Sequence, residues 1–290
     1  MGLVIGSVEF LLKEASRKPF SGSLLTLGKQ DVYFSYKTFA KLSQKYGIKL
    51  SDSTKIEISS NPYFAAHHYL ADEYVFKALG FSEIKSLDYS DYQGANIIFD
   101  LNSNDLPLTL KEVFDVIIDG ETMEHIFHIP NVLNNIYKTL RVGGGILHIS
   151  PSSNYVDHGF YSFSPTLFYD FYQTNKFKIE TLQVCHIPYR YSIDSWECFD
   201  YVPGCLDSAS IGGLNQKGMY GIICIATKMS DSSGNMIPQQ GSYKSAWSET
   251  TKKNSLNLFK RLLNYYRRFG LKDTLEKICY SVCCFIKKKT

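Results

Sequence analysis

Residues 114–130, FDVIIDGETMEHIFHIP, join an apolar run to several groups that can carry chemistry. The run ends in an aspartate and a glycine, and Glu124, His125 and His128 follow it. Buried carboxylates and imidazoles cost free energy unless they are paired, so a strand needed only for stability gains nothing from them at its end. An imidazole beside a carboxylate can move protons near neutral pH. The segment therefore predicts a site for a polar ligand.

Strand-like and helix-like segments alternate around this site. Short apolar runs predict strands, and apolar residues at helical spacing predict the helices between them. The predicted strands cover residues 23–28, 84–88, 96–100, 114–119, 145–150, 177–187 and 220–229, and the predicted helices cover 35–47, 64–80, 132–142 and 167–172. The glycines at 143–145 predict a helix stop and a tight turn. This alternation predicts an α/β fold, a Rossmann-like doubly wound and mostly parallel sheet with helices on both faces.

Ligands of such sheets bind at the carboxyl ends of the strands, near the point where the strand order reverses. Gly28 follows the first predicted strand, Asp88 and Asp100 end the next two, and Asp119 with Gly120 ends the fourth. A carboxylate at one of these ends can accept two hydrogen bonds from a ribose diol, and a second can accept from an adenine amino group. The pattern favours a nucleoside-bearing ligand, although aspartate is also common in turns.

The order of these motifs resembles a known family. The run from FDVIIDGETMEHI through NVLNNIYKTLRVGGGILHISP resembles the second half of the class I S-adenosylmethionine-dependent methyltransferase fold. Residues 153–172, SNYVDHGFYSFSPTLFYDFY, resemble a segment of a bacterial subgroup tied to polysaccharide or lipid-linked glycan synthesis. The resemblance covers roughly residues 22–229 and implies S-adenosylmethionine as the cofactor.

The loop after the first strand departs from the family pattern. Where the family has GxGxG, this chain has LTLGKQDVYFS, with only Gly28 at the turn. The missing glycines let backbone amides approach the methionine part of the cofactor. Lys29, Gln30 or Asp31 can replace those contacts through side chains, and Asp31 also suits a helix cap. In a second alignment, SLDYSDYQG after Ile84 is the loop, but the first placement leaves the strand and helix that the fold requires before Ile84.

The site hypothesis divides the residues by role. We expect His125, His158 and Glu124 to act in catalysis, since an acceptor hydroxyl or amine gains from a base that removes its proton. The expected cofactor contacts are Leu27, Gly28, Gln30, Asp88, Asp100, Leu101, Asp119 and Gly120, and the expected acceptor contacts are His158, Tyr161, Phe163 and Ser164. Plainer roles stay open. Glu124 can stabilise a helix start, His128 can pack or face solvent, and the loop at 158–165 can pack on the next helix.

Composition places limits on the class of protein. The 290 residues are 44% apolar, enough for a sizeable core. Seven cysteines show no CxxC pair and no zinc-site spacing, so they are uninformative about metals. No metal cluster is visible in the sequence, and no metal is expected. An odd cysteine count without a secretory signal favours reduced thiols in a cytoplasm.

The chain is predicted to have several parts. Residues 1–20 predict an N-terminal helix, 21–230 the methyltransferase-like domain, and 231–253 a linker.

The last segment concentrates the basic charge. Residues 252–290 carry a net charge of +9, whereas residues 1–251 carry −6. Within 254–290, apolar residues at helical spacing lie among lysines and arginines, so a basic amphipathic helical tail is predicted. It suits an anionic membrane surface, and packing on the body or on a second copy is the alternative. Nucleic acid is not expected, because no recognition motif or stacking-rich groove accompanies the charge.

Two classes of function remain. The first is a methyltransferase that modifies a hydroxyl or amine of a small or glycan-like acceptor. The second is a noncatalytic scaffold or partner-binding protein with the same fold, which LGKQ in place of GxGxG favours. A nicotinamide-dependent oxidoreductase is a weaker alternative, since it needs the same missing glycines.

Overall fold

The computed structural model describes residues 2–50, 55–206, 213–214, 217–241 and 243. Ten strands lie within them: β1 (Gly2–Leu3), β2 (Ser23–Leu27), β3 (Asp31–Val32), β4 (Glu83–Asp88), β5 (Ile97–Ile98), β6 (Phe114–Gly120), β7 (Leu140–Pro151), β8 (Lys178–Ile187), β9 (Glu197–Asp200) and β10 (Met219–Thr227). The helices are α1 (Ile5–Arg17), α2 (Tyr36–Lys45), α3 (Pro62–Ala66), α4 (Asp72–Leu79), α5 (Ile129–Thr139) and α6 (Pro165–Thr174). Two single 3₁₀ turns cover Leu108–Leu110 and Met123–His125.

Eight strands form one sheet in the order β5-β4-β2-β6-β7-β10-β8-β9. The first five of these are parallel to one another, whereas β10 is antiparallel to both of its neighbours and β9 is antiparallel to β8. From β2 the chain moves outward to β4 and β5, and then returns to β6 on the other side of β2. The strand order therefore reverses between β2 and β6, where ligands of open α/β sheets bind.

Helices cover both faces of the sheet, because its central strands are apolar on both sides. β2 is buried along its whole length, as expected of an internal parallel strand. On one face, α1 and α4 pack against alternate residues of β2, β6, β7 and β10, such as Leu24, Ile118 and Leu147. On the other face, α6 packs on β7, where Phe168 lies against His148. The predicted α/β, Rossmann-like fold class is confirmed.

The predicted helix at 64–80 is wrong in its middle. The helix α3 ends at Ala66 and α4 begins at Asp72. Between them, His68 has a positive φ of 55° and Tyr69 pairs with Ser35 in an isolated bridge. The bridge and the tilted ring contact between Tyr69 and His67 take this turn out of the helical path. Sequence periodicity does not reveal such long-range pairing.

The expectation of reduced thiols is wrong for two cysteines. Cys185 of β8 and Cys198 of β9 form a disulfide, and they are directly opposite each other in the ladder between these strands. Among the cysteines that the structure describes, Cys205 and Cys224 are unpaired. The disulfide therefore ties the edge strand β9 to the rest of the sheet.

The chain divides into two compact units, one of Met1–Asp200 with Gln216–Pro238 and the other of Tyr201–Asn215 with Gln239–Thr290. The main sheet and all the candidate site residues belong to the first unit. The predicted basic tail at 254–290 lies outside the described residues, as does most of the predicted linker. In the described part of the chain, no helix has the length and apolar character needed to cross a bilayer.

Gly80 provides a test of how closely the end of α4 packs on the segment that precedes β2. Gly80 ends α4 with φ of 115°, and a Cβ there would lie 2.5 Å from the carbonyl oxygen of Phe20. Gly47 also has a positive φ, of 69°, but no described atom lies within 4 Å of its Cβ position. We expect Gly80→Ala to lower the free energy of unfolding by about 3 kcal/mol and Gly47→Ala by about 1 kcal/mol. Urea denaturation measures both, and equal losses would contradict the close approach at Phe20.

Candidate functional site

Asp119 is the next-to-last residue of β6 and organises the turn that follows the strand. Its Oδ1 accepts hydrogen bonds from the backbone amides of Thr122 (3.2 Å) and Met123 (3.1 Å). Its Oδ2 lies 2.7 Å from Nδ1 of His148, whose Nε2 lies 2.6 Å from the hydroxyl of Tyr172. Asp119 and His148 are completely buried. Both oxygens of the carboxylate therefore have protein partners, which give the Asp119 side chain a structural role.

The turn held by Asp119 directs Glu124 into the protein. The Glu124 side chain is 0% exposed. Neither carboxylate oxygen has a hydrogen-bond partner among the described residues. Burial, together with the nearby charge of Asp119, raises the pKa of Glu124 to about 9. An ionised carboxylate here would need a cation or a donor to balance it.

Two imidazoles lie against that carboxylate. Nε2 of His125 is 3.8 Å and Nε2 of His158 is 3.5 Å from Oε1 of Glu124. Burial lowers the pKa of both histidines, and the neighbouring His158 lowers that of His125 further. One ligand atom from each of the three residues lies within 4.8 Å of the other two. The structure thus brings together the three residues for which the sequence predicted catalytic roles.

The loop that carries His158 is fastened to the backbone of Glu124. The amides of Phe160 (2.9 Å) and Tyr161 (3.3 Å) both donate to the Glu124 carbonyl oxygen. Gly159 packs so closely that a Cβ would lie 3.0 Å from that oxygen and 3.2 Å from Nδ1 of His125. The relative position of the two histidines is therefore set by main-chain contacts.

A cavity of about 250 Å³ adjoins His158. Its wall includes aromatic side chains together with a second acid, Glu121, and the lining comprises Gly2, Val4, Tyr33, Glu121, Tyr155, His158, Ile187, Tyr191, Trp196 and Met219. Burial raises the pKa of Glu121, although a hydrogen bond from Tyr155 opposes this shift. The indole N–H of Trp196 is buried and has no acceptor within the described ranges. Aromatic faces with a few polar groups suit a small polar ligand.

The predicted acceptor residues lie in different environments in the structure. His158 lines the cavity, whereas the hydroxyl of Tyr161 donates to the carbonyl of Phe127 at 2.8 Å. Phe163 is 5% exposed and belongs to the core, and Ser164 caps α6 by accepting from the amide of Thr166. For Phe163 and Ser164 the packed-loop alternative describes the structure, since the apolar ring gains more from burial and the hydroxyl is used by the helix start.

The crevice between β2 and β6 is filled by Gln30, which is 3% exposed. Its Nε2 donates to the carbonyls of Leu27 (3.2 Å) and Gly28 (3.4 Å). Its Oε1 has no hydrogen-bond partner in the described part of the chain. That oxygen faces the backbone of Gly120, where a Cβ would lie only 2.5 Å from it. Four of the predicted cofactor residues therefore meet at the point where the strand order reverses.

The other predicted cofactor residues lie along the same sheet edge. Leu27 is the register partner of both Leu87 and Asp119. Asp88 therefore lies one residue further along the strand direction than Asp119, at the same edge of the sheet. Asp88 is partly exposed, and its Oδ1 accepts the amide of Tyr89 at 2.6 Å. Asp100 uses one oxygen in a local turn with Asn102, as the plainer alternative predicts.

The loop after β5 is pinned to α5. Asn135 donates to the carbonyl of Leu101, and Asn131 donates to that of Asn102. Leu101 itself is 7% exposed. Because Asp100 and Leu101 start this loop, α5 fixes where they sit along the sheet edge.

An open cleft of about 820 Å³ borders the loop after β2. One wall is Lys29, Gln30 and Asp31, and another is the loop at 92–94 that follows β4. Lys29 pairs with Asp72 at 3.0 Å. This volume suits a nucleotide-sized ligand. Asp31 of β3 lines this cleft, whereas Tyr33, directly after β3, lines the smaller cavity.

Several lining residues were not predicted from the sequence. Tyr33 and Tyr155 lie in two of the quoted segments but were not singled out there, and Tyr191 and Trp196 belong to no quoted segment. Glu121 did carry a signal, because it follows the same strand end as Glu124. It also has a positive φ of 58°, which is uncommon for a glutamate.

No family model matches the chain, and no curated protein matches it. Solved structures do match it. TehB from Haemophilus influenzae is 13% identical with a TM-score of 0.33, and the match covers 54% of this chain and 53% of TehB, so this chain spans about half of that protein's length. The 1,6-didemethyltoxoflavin-N1-methyltransferase of Burkholderia thailandensis, with bound S-adenosylhomocysteine, is 10% identical with a TM-score of 0.40, covering 78% of this chain and 80% of that one.

A further match is a possible histamine N-methyltransferase, described as an S-adenosylmethionine-dependent methyltransferase, from Thermotoga maritima. It is 15% identical with a TM-score of 0.36, and the match covers 76% of this chain and 88% of that one.

The buried acid predicts a specific pH dependence. With the pKa of Glu124 raised from 4.5 to about 9, the folded protein binds a proton that the unfolded chain has released. Stability therefore falls as pH rises through this window. We expect Glu124→Gln, which has no such proton, to gain on the order of 3 kcal/mol over the wild type between pH 5 and pH 9.

Urea unfolding at a series of pH values, in the presence of a chelator, measures this difference. Glu57→Gln is the control, because Glu57 is exposed. Parallel stability profiles for the wild type and Glu124→Gln would contradict the raised pKa.

Proposed function

We propose that the chain is an S-adenosylmethionine-dependent methyltransferase that modifies a hydroxyl or amine of a small or glycan-like acceptor. The observation that carries the proposal is the buried carbonyl oxygen of Gln30, which lacks a partner in the described chain and lies where the strand order reverses. A buried acceptor without a donor costs free energy. The ammonium group of an amino-acid ligand is a donor that would satisfy it.

Gln30 therefore offers a substitute for the family's missing glycines. Its amide is fixed by the carbonyls of Leu27 and Gly28, which leaves its oxygen directed toward Gly120. The glutamine would hold the methionine end of the cofactor with a side-chain acceptor in place of backbone amides. Its side chain must shift slightly to admit the ligand, and a flexible side-chain end can do so at small cost.

The adenosyl end would lie toward β4 and β5. Asp88 has a second carboxylate oxygen available for a ribose diol, and Asp100 and Leu101 begin the adjacent loop. The cleft of about 820 Å³ beside Lys29 and Gln30 gives room for a ligand of this size.

The acceptor would bind in the aromatic cavity beside His158. A sulfonium cofactor supplies an activated methyl group, so the protein has mainly to align donor and acceptor. The acceptor's lone pair forms the new bond to the methyl carbon as the carbon–sulfur bond breaks toward sulfur. His158 would take the acceptor's proton, and Glu121 and Trp196 can hydrogen-bond a hydroxyl or amine. Tyr33 and Tyr155 suit the face of a sugar or a similar ring.

A noncatalytic scaffold is the second candidate. The observation that favours it is the same side chain, because Gln30 fills the crevice that a cofactor would enter. In that account Gln30 and Thr122 simply close the sheet edge, since both donate to the carbonyl of Leu27. The two candidates differ in whether an S-adenosyl ligand binds at all.

Titration calorimetry with S-adenosylmethionine and S-adenosylhomocysteine tests the proposal. We expect micromolar binding of the product by the wild type, and a loss of at least about 10-fold in Asp88→Ala and Gln30→Leu, equal to about 1.4 kcal/mol for each lost polar contact. Leucine keeps the bulk of the side chain but removes the acceptor. Asp105→Ala is the matched control, since that aspartate is exposed on the loop after β5.

If the wild type bound neither ligand, the result would support the noncatalytic scaffold instead. Binding that Gln30→Leu leaves unchanged would show that the glutamine is only a filler, and would remove the observation on which the proposal stands.

A further inference from the structure

We propose that Glu124, His125 and His158 form a binding site for one divalent transition-metal ion. The starting point is the carboxylate of Glu124, which is fully buried and has no hydrogen-bond partner among the residues that the structure describes. Buried carboxylates in folded proteins are paired, hydrogen-bonded or bound to metal. Glu124 therefore needs a partner that the atoms of the described residues do not supply.

The spacing of the three residues is too wide for direct hydrogen bonds and suits an interposed ion. Nε2 of His125 and Nε2 of His158 are 3.8 and 3.5 Å from Oε1 of Glu124. Two ligands about 2.1 Å from a tetrahedral ion lie roughly 3.4 Å apart, so these separations need only a small contraction. The atom of each residue lies within 4.8 Å of the other two, so a small rotation of the rings lets one ion, about 2.1 Å from each atom, bind all three.

The site is held by the backbone and can adjust through its side chains. The amides of Phe160 and Tyr161 bind the carbonyl of Glu124, which fixes the loop of His158 against the turn of His125. The histidine side chains are 38% and 35% exposed, so both rings can rotate toward an ion. A fixed acid with two adjustable imidazoles is a suitable donor set for capture of a metal.

The donor types indicate the class of metal. Two imidazole nitrogens and one carboxylate oxygen suit zinc, iron, cobalt or manganese better than calcium or magnesium, which prefer oxygen ligands. Three protein ligands also leave at least one coordination position open. Because His158 lines the cavity of about 250 Å³, a ligand in that cavity is within reach of the open position.

The ion would have a role in the proposed methyl transfer, and only this role rests on that function. With Nε2 of His158 bound to the ion, this nitrogen no longer takes the acceptor's proton; the ion would instead polarise an acceptor oxygen and make its proton easier to lose. The sequence predicted no metal here, because the three donors come from two separate segments and their spacing matches no common motif.

Metal uptake by the full chain, without any S-adenosyl ligand, tests the proposal. Protein freed of metal with a chelator is titrated with ZnCl₂ by calorimetry and with CoCl₂ by visible absorption. We expect one equivalent to bind, with cobalt bands typical of four- or five-coordination, and the midpoint of thermal unfolding to rise by about 5 °C or more.

Three variants locate the ion. Glu124→Gln and His158→Gln should each weaken binding by about 100-fold or more, because each removes one of three ligands. His128→Gln is the matched control, an exposed histidine close to His125 in the chain, and it should bind as the wild type does. Circular dichroism of the metal-free variants checks that they remain folded.

Absence of stoichiometric binding would overturn the proposal, and so would binding that Glu124→Gln and His158→Gln retain. If a variant fails to fold, anomalous scattering from wild-type crystals grown with cobalt decides the matter, since a peak away from these three residues also overturns it. Failure of the methyltransferase proposal would be seen separately, as absence of S-adenosyl ligand binding in a protein that still takes up metal.

Discussion

The Asp119 carboxylate is the contact on which the candidate site depends. One of its oxygens gathers the amides of the turn after β6, and the other binds a buried histidine on the next strand. Because that turn is held by hydrogen bonds from within, the Glu124 side chain enters the protein interior and His125 stays partly exposed. Asp119, which was predicted from the sequence to contact a ligand, thus sets the positions of Glu124 and His125.

The space around the ends of β2 and β6 is divided between a cleft and a cavity. Gln30 occupies the crevice between these strands, with a cleft beside it and an aromatic cavity beyond the short strand β3. The pairing of β1 with β3 brings Gly2 of β1 to the cavity wall.

Much of the fold could be predicted from the sequence, because local periodicity determines it. The strands at Ser23–Leu27 and Phe114–Gly120 and the helix at Ile129–Thr139 follow from runs of apolar residues and their spacing. The clustering of Gly28, Asp88 and Asp119 at one edge follows from parallel strands alone. The break at His68 and the disulfide between β8 and β9 depend on contacts between distant segments, which periodicity does not contain.

The sequence predicted which residues belong to the site but not how those residues are buried or which atoms they contact. Glu124, His125 and His158 stand out by type, but the burial of Glu124 depends on a turn set by Asp119, and the role of Gln30 depends on a rotamer. Phe163 and Ser164 share a segment with His158 and still belong to the core and to a helix start. Residue type indicates which groups can do chemistry, and only the long-range contacts decide which of them face a ligand.

A crystal structure of the wild type grown with S-adenosylhomocysteine and cobalt would test the account most directly. The account predicts the ligand's amino group within hydrogen-bond distance of Gln30 Oε1, and an anomalous peak between Glu124 and the two histidines. A ligand bound away from the edge between β2 and β6, with Glu124 bonded only to protein atoms, would contradict it.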